Sequence, residues 1–565
     1  MPHPFRPRRA AAAALVAAVA AAPAAAGAQS VLGVGDDALV LPRGVFRVRA
    51  IAQQGTFDER FGAISGSGLR PNRREPILTD LNIPSIGTLQ FPNLLRVETG
   101  LRGLTGINDY ALSLGRLQGT GDVRINAGSL VFELGVTRRL SVGAVVPFVD
   151  TRNRVDLQVN AGGEGNVGFN PASVGQVAAA RQQNTQLVGQ LLTAARTVEA
   201  AVGLPAGGCG TAAVPQCQLV NGTRTFAGGV AQIYGADAVA GLAASAGSPF
   251  VPLTGSAAQN AIAARVQALR AQYGPAGAGI TTTSPFAAPT NLTLADAQTI
   301  LTDPAFGVTA QPVGSANRRG LGDMEIAAKY SLVNTFGHAD PNARLAPSGV
   351  HLRTALTGAF RVGTGLAEEP RNFLDVPTGT GANAVGLRSN TDVLVGSRFW
   401  TTLTLRYTAQ LPDNQVVRVV DRPERVLAPL YRQQKVRRDL GDFFELEATP
   451  RFVLTDWLAI AGQYYFRDKR EDRYRGTFLI PDAVTGAGDV RLDASTLNQE
   501  TLAVEHRVGG GLSLSSVAAF ARGRARLPAE ITYTLQQTVD GFGGAVPRLT
   551  MNQVQLRLYA RAFGR

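Results

Sequence analysis

The strongest constraint on this chain is a recurring stretch of about ten residues in which apolar and polar side chains alternate. In 401–411, Leu403, Leu405, Tyr407, Ala409 and Leu411 share one side, and Thr402, Thr404, Arg406, Thr408 and Gln410 share the other. A strand turns successive side chains to opposite faces, so this spacing fits a strand with two unlike environments. The same split sets His351, Arg353, Thr357 and Arg361 against Leu352, Leu356, Phe360 and Val362. It recurs with Glu445, Glu447 and Arg451 against Phe444, Leu446 and Phe452, and with Gln553, Gln555, Arg557 and Arg561 against Val554, Leu556 and Leu558.

Twelve such stretches are predicted, over 43–55, 121–137, 139–159, 320–334, 348–363, 389–399, 400–411, 441–454, 457–470, 495–508, 512–525 and 547–563. Their connections sort by length. Tight ones fall at 137–139, 399–400, 455–456 and 508–511, with a medium one at 335–347. Long ones span 56–120, 160–319, 364–388, 412–440, 471–494 and 526–546. A soluble antiparallel sheet would explain the alternation equally well but has no reason to sort its loops. Short turns at one end and long loops at the other are the pattern of a membrane barrel. The expected fold is therefore all-β: an antiparallel transmembrane β-barrel of about twelve strands with a large, partly helical extracellular loop.

The N-terminus supports export. Arg6, Arg8 and Arg9 precede the apolar run 10–22, and Ala26-Gly27-Ala28 is a small-residue cleavage site, so residues 1–28 read as a signal peptide cleaved near Ala28. The rest, 29–565, reads as the barrel, placed in the outer membrane of a Gram-negative bacterium. No later segment approaches the ~20 apolar residues of a spanning helix. Cys209 and Cys217 are the two cysteines, in a Gly- and Pro-rich stretch, and are expected to close a local disulfide in an oxidising compartment. They sit within 160–319, which reads as a helical insertion: 171–202, 257–273 and 294–302 have helical spacing, the last with Thr293 and Asp296 placed as a capping box.

Charges this frequent cannot face lipid, where an Arg costs about 2–4 kcal/mol at mid-depth, so the polar faces must line the lumen. The predicted lumen set is Arg47, Arg49, Lys329, Arg353, Arg361, Arg398, Arg406, Glu445, Glu447, Arg451, Arg467, Arg507 and Arg557, joined by Lys469, Arg561, Asp323, Glu325, Asp392 and Glu505. Cations outnumber carboxylates about two to one, which favours anions in a wet pore. Alternatively, opposite charges on neighbouring strands pair across a filled interior. The formal charge of +13 also allows basic loops to meet anionic lipopolysaccharide, while no motif speaks for nucleic acid. No metal or cofactor motif is present, and no catalytic residue is assigned. The one weighed exception is an outer-membrane lipase using His506 with Ser513 or Ser515.

Two motifs resemble a known family. Gly135-x-Thr137-x-x-Leu140-x-x-Gly143-x-x-x-Pro147-Phe148 and Gly320-x-Gly322-Asp323 followed by Lys329-Tyr330 resemble a hairpin and a strand of MetA-type outer-membrane proteins, the family grouped with the phenol meta-cleavage pathway. That family is similar to the fatty-acid and aromatic-hydrocarbon transporters. The resemblance implies a channel or transporter for passive uptake of small solutes, hydrophobic or aromatic ones included, and no enzyme. Implied partners are membrane lipid, lipopolysaccharide, the barrel-assembly machinery and the solute. The alternative to transport is an anchor or adhesin with a plugged barrel. Residues 29–42 are too short for the N-terminal plug of the fatty-acid transporters.

Overall fold

A barrel built of hairpins needs its strands to pair in sequence order, and the computed structural model has that order. It describes residues 36–61, 74–210, 214–335, 349–396, 398–421, 432–481, 489–498, 501–543 and 546–561; the expected signal peptide lies outside them. The barrel strands are β1 (Val45–Phe57), β2 (Leu117–Gly135), β3 (Leu140–Val159), β4 (Ala316–Leu321 continued by Met324–Asn334), β5 (Val350–Val362) and β6 (Ala384–Val395). They continue with β7 (Phe399–Gln410), β8 (Phe443–Thr455), β9 (Leu458–Lys469), β10 (Ala503–Ser515), β11 (Ala529–Phe542) and β12 (Thr550–Arg561). Each pairs antiparallel with the next, and β12 pairs back onto β1 from Val45↔Arg561 to Thr56↔Thr550, closing a twelve-stranded barrel with no free edge.

The two faces of the wall follow the alternation. Outward-pointing Ile326 and Leu387 are 61% and 58% exposed, and Phe148, Val350, Leu403, Leu405, Tyr407, Leu512 and Ile531 join them in an apolar outer surface. Inward-pointing Arg406 on the same strand as Leu405 is 1% exposed. Such an apolar exterior is stable in hydrocarbon and unstable in water.

Two predicted strands near the C-terminus are wrong. Gly509-Gly510-Gly511 was expected to form a tight turn between 495–508 and 512–525, yet β10 runs straight through it. A Cβ at Gly509 would lie 2.4 Å from the Leu535 carbonyl oxygen, and one at Gly511 2.2 Å from that of Tyr533. The glycines therefore let β10 and β11 approach closely instead of reversing the chain. The return strand β11 occupies most of the expected loop 526–546. The short-turn end here is 516–528 with one helical turn, Val517–Ala521, while the opposite connection, 543–549, is short. Loop sorting thus fails at the last hairpin. Strand β6 also starts earlier than predicted and ends at Val395, with Gly396 and Arg398 in the turn that follows.

A helical cap covers the long-loop end. Its helices are α1 (Leu94–Thr105), α2 (Ala178–Ala201), α3 (Pro215–Tyr234), α4 (Ala257–Tyr273) and α5 (Leu294–Thr302). The capping box at α5 forms: Thr293 Oγ1 accepts from Asp296 N, and Thr293 N donates to Asp296 Oδ2 at 2.7 Å. Helices α1 and α3 were not anticipated, although Leu94, Val97, Leu101 and Leu104 of α1 recur at helical spacing and form its buried face. One hydrophobic core joins these helices to residues 78–117 of the first long loop, so both long loops build the cap. The Cys209–Cys217 disulfide sits at the N-terminal end of α3. Among the described residues no helix is long and apolar enough to cross a membrane.

Candidate functional site in the barrel lumen

Because the outer wall is apolar, the polar chemistry of the strands converges inside. Of the predicted lumen set, Arg47, Arg49, Lys329, Arg353, Arg361, Arg406, Glu445, Glu447, Arg507 and Arg557 point inward and are buried, and Arg451 and Arg467 are half-buried on the same inward faces. Arg398 does not join them: it lies exposed in the turn after β6, because that strand stops three residues short of it. Arg561 is also exposed, at the barrel rim. Missed from sequence were Glu133, within a predicted strand, and Arg388 and Glu530, which fell in stretches expected to be the long connections 364–388 and 526–546.

The inward charges are held in pairs. Arg406 Nη2 donates to Glu447 at 2.7 Å, Arg507 Nε to Glu505 at 2.5 Å, and Arg353 Nη2 to Asp392 at 2.6 Å; Arg388 pairs with Glu325. Tyr465 donates to Glu445 at 2.5 Å. Guanidinium groups also lie over rings, Arg467 over Phe443 at 4.7 Å, Arg507 over Tyr465 at 4.8 Å, and both Arg353 and Arg451 over Trp400 at 5.6 Å. In a low-dielectric interior such pairs are strong and specific only while each partner is present.

Two segments enter the lumen from opposite ends. At the short-turn end, residues 36–42, part of the stretch too short for the plug of the fatty-acid transporters, fold back inside ahead of β1. Lys329 Nζ donates to Asp36 at 3.1 Å and Arg557 Nη1 to Asp37 at 3.2 Å; Arg49 and Arg47 approach the same carboxylates at 3.7 Å each. Asp392 Oδ2 accepts from Ala38 N at 3.1 Å, and Ser141 Oγ accepts from Leu41 N at 2.8 Å. At the long-loop end, loop 363–383 lies against the inward face of β3, where Thr151 Oγ1 donates to the Val376 carbonyl at 3.0 Å and Asn153 to that of Leu374.

Both segments are anchored by one strand. Asp323, in the break of β4, accepts from Gly365 N at 2.9 Å, Thr380 N at 2.9 Å and Gly381 N at 3.3 Å, pinning the base of loop 363–383. Gly365 must stay small there, since a Cβ would meet Gly379 Cα at 2.5 Å. Lys329, further along β4, holds Asp36. The polar residues of the second motif therefore hold both of the segments that enter the lumen.

Two cavities flank this arrangement. One of about 30 Å³ lies beside Asp36 between Arg49, Glu133, Lys329 and Arg388. The other, about 40 Å³, is apolar and lies where the cap meets the rim, among Leu81, Ile86, Leu157, Leu292 and Leu301. The lipase pairing does not form. His506 faces outward, 2.9 Å from the Tyr464 hydroxyl and packed on Phe466, whereas Ser513 and Ser515 are buried on the inward face, Ser513 donating to Glu530 at 2.9 Å.

No family model matches this chain, and no curated protein matches it. Among solved structures it is similar to an outer-membrane channel from Pseudomonas putida F1, with 8% identity and a TM-score of 0.37 over 93% of this chain and 98% of that one. It is also similar to the toluene transporter TbuX of Ralstonia pickettii, with 8% identity and a TM-score of 0.27 over 96% and 93%. The transport unit of the autotransporter AIDA-I of Escherichia coli aligns with 6% identity and a TM-score of 0.30 over 98% and 99%.

Proposed function

We propose that this protein is an outer-membrane channel for small solutes, closed at rest by two segments of its own chain. The observation that carries the reading is the nature of the closure. Residues 36–42 and 363–383 are attached to the wall by side-chain hydrogen bonds and ion pairs rather than by strand ladders, so either can leave without breaking the barrel. An apolar exterior, an exported sequence and the two motifs resembling MetA-type proteins support the same placement. Solutes would pass by diffusion, the long-loop end facing out and the short-turn end facing the periplasm. Passage of hydrophobic or aromatic compounds finds support in the apolar cavity beneath the cap, where Leu81, Leu157 and Leu301 converge.

The filled lumen favours a second reading, a plugged barrel that anchors the cap for adhesion. Planar-bilayer recording separates the two. The refolded protein is expected to show brief conductance steps, and Asp323→Ala, which removes the hydrogen bonds at the base of loop 363–383, to lengthen them severalfold. Silence from the parent and from Asp323→Ala alike would reject the channel and leave the anchor.

A further inference from the structure

We infer that the cationic ring at the short-turn end of the lumen is a binding site for a small dicarboxylate, and that Asp36 and Asp37 occupy it as the chain's own stand-in. The inference deepens the channel reading and rests on it for the physiological route of the solute. Two carboxylates on adjacent residues are met by cations from three strands, Arg47 and Arg49 of β1, Lys329 of β4 and Arg557 of β12. That is the arrangement a receptor for a diacid requires: converging donors, fixed by a rigid wall and shielded from water.

Among the described residues of the ring, cations outnumber the carboxylates that the wall places on them. Around the ring stand the cations Arg47, Arg49, Lys329, Arg353 and Arg557. Their carboxylate partners in the wall are Glu133, shared by Arg47 and Arg49, Asp392 on Arg353 and Glu530 near Arg557. Among these described residues five positive charges face three negative ones, and Asp36 and Asp37 add two more negative charges. Uncompensated charge in a buried site is strongly unfavourable, so a ring vacated by the segment takes up anions, and one carrying two charges fits best. The cavity beside Asp36 lies among Arg49, Glu133, Lys329 and Arg388, next to the ring.

Trp400 supplies the readout. It lies beside the ring under Arg353 at 5.6 Å, and the other tryptophan, Trp457, is exposed on a turn. The full chain carrying Trp457→Phe is refolded in detergent with and without Asp36→Asn and Asp37→Asn, and titrated with succinate while tryptophan emission is followed. The doubly neutralised protein is expected to show a saturable change with succinate and none with succinamide. Its affinity should exceed that of the Trp457→Phe parent by about tenfold or more, and adding Arg557→Met should abolish the response. Equal responses to succinate and succinamide, equal affinity with and without the two aspartates, or no response would overturn the site. If the double variant does not fold, judged by heat-modifiable gel mobility, Asp36→Asn alone should respond to acetate; its failure to do so counts equally against the site. This binding needs no ion flow. Succinate binding by a protein that never conducts would reject only the channel, and conductance without succinate binding would reject only the site.

Discussion

The barrel and its cap bury opposite kinds of matter. In the cap, Leu187, Leu191, Val230, Ile262 and Val266 form an oily core inside a polar surface. In the barrel, Arg47, Arg49, Arg406, Glu445 and Glu447 form the interior and the leucines face outward. The difference teaches that burial here follows the solvent outside each region. Water around the cap drives apolar residues inward, whereas lipid around the barrel leaves the lumen as the sole refuge for ionisable groups. The cap core is non-directional and tolerant; the barrel core depends on particular partners.

Four substitutions test that contrast, the largest effect first. Arg406→Met leaves Glu445 and Glu447 without a shared cation and is expected to cost about 3–5 kcal/mol, read as a lower urea midpoint for barrel unfolding from lipid vesicles. A loss no larger than that of a surface change would break the comparison. Leu191→Ala, at a site with no exposed surface, should cost the cap about 3 kcal/mol, seen as earlier melting of the helical circular dichroism at 222 nm while barrel gel mobility is unchanged. Melting of both regions together would show that they unfold as one unit.

Glu199 sharpens the picture, because it is an ionic group inside the oily cap. It accepts from Arg224, from Gly207 N at 3.0 Å and from Cys209 N at 2.9 Å. The bond from Arg224 is the main reason its carboxyl is held down to about 2. Glu199→Gln should cost about 2 kcal/mol of cap stability. A lowered folded-state value stabilises above the ordinary carboxylate range, so the gap between parent and variant should be constant near neutrality. It should then shrink as pH falls from about 4.5 towards about 2. A gap that widened on acidification would contradict the assignment. Smallest of all, Arg398→Ala, in an exposed turn, should change barrel stability by less than about 0.5 kcal/mol, whereas a lumen arginine would not be so forgiving.

Much of the wall was legible from residue types alone. Alternation placed Leu403, Leu405 and Tyr407 outside and Thr402, Thr404 and Arg406 inside, because a period of two admits no other partition. Helix α5 announced itself through Thr293 and Asp296, a local signal that needs no distant partner. The misreadings share a cause: a glycine reads the same whether it bends a chain or lets two strands touch. Gly509 and Gly511 could be sorted only by the closeness of Leu535 and Tyr533, which are distant neighbours along the chain. Arg398 was misplaced for a related reason, since a strand's last residue depends on where its partner stops.

What the sequence alone determined was periodicity: which side chains share a face, that the polar face carries excess cations, and that about a dozen hairpin-forming strands are present. Which segments fill the enclosed space was decided in three dimensions. Asp36 and Asp37 are an unremarked pair in a short tail until closure of β12 onto β1 brings Arg557 beside Arg47 and Arg49, with Lys329 across the lumen. Loop 363–383 likewise finds its inward path only once Asp323 and the inner face of β3 are in place. The physical reason is that alternation is a property of neighbouring residues, whereas electrostatic neutrality of a closed interior is a property of the whole ring.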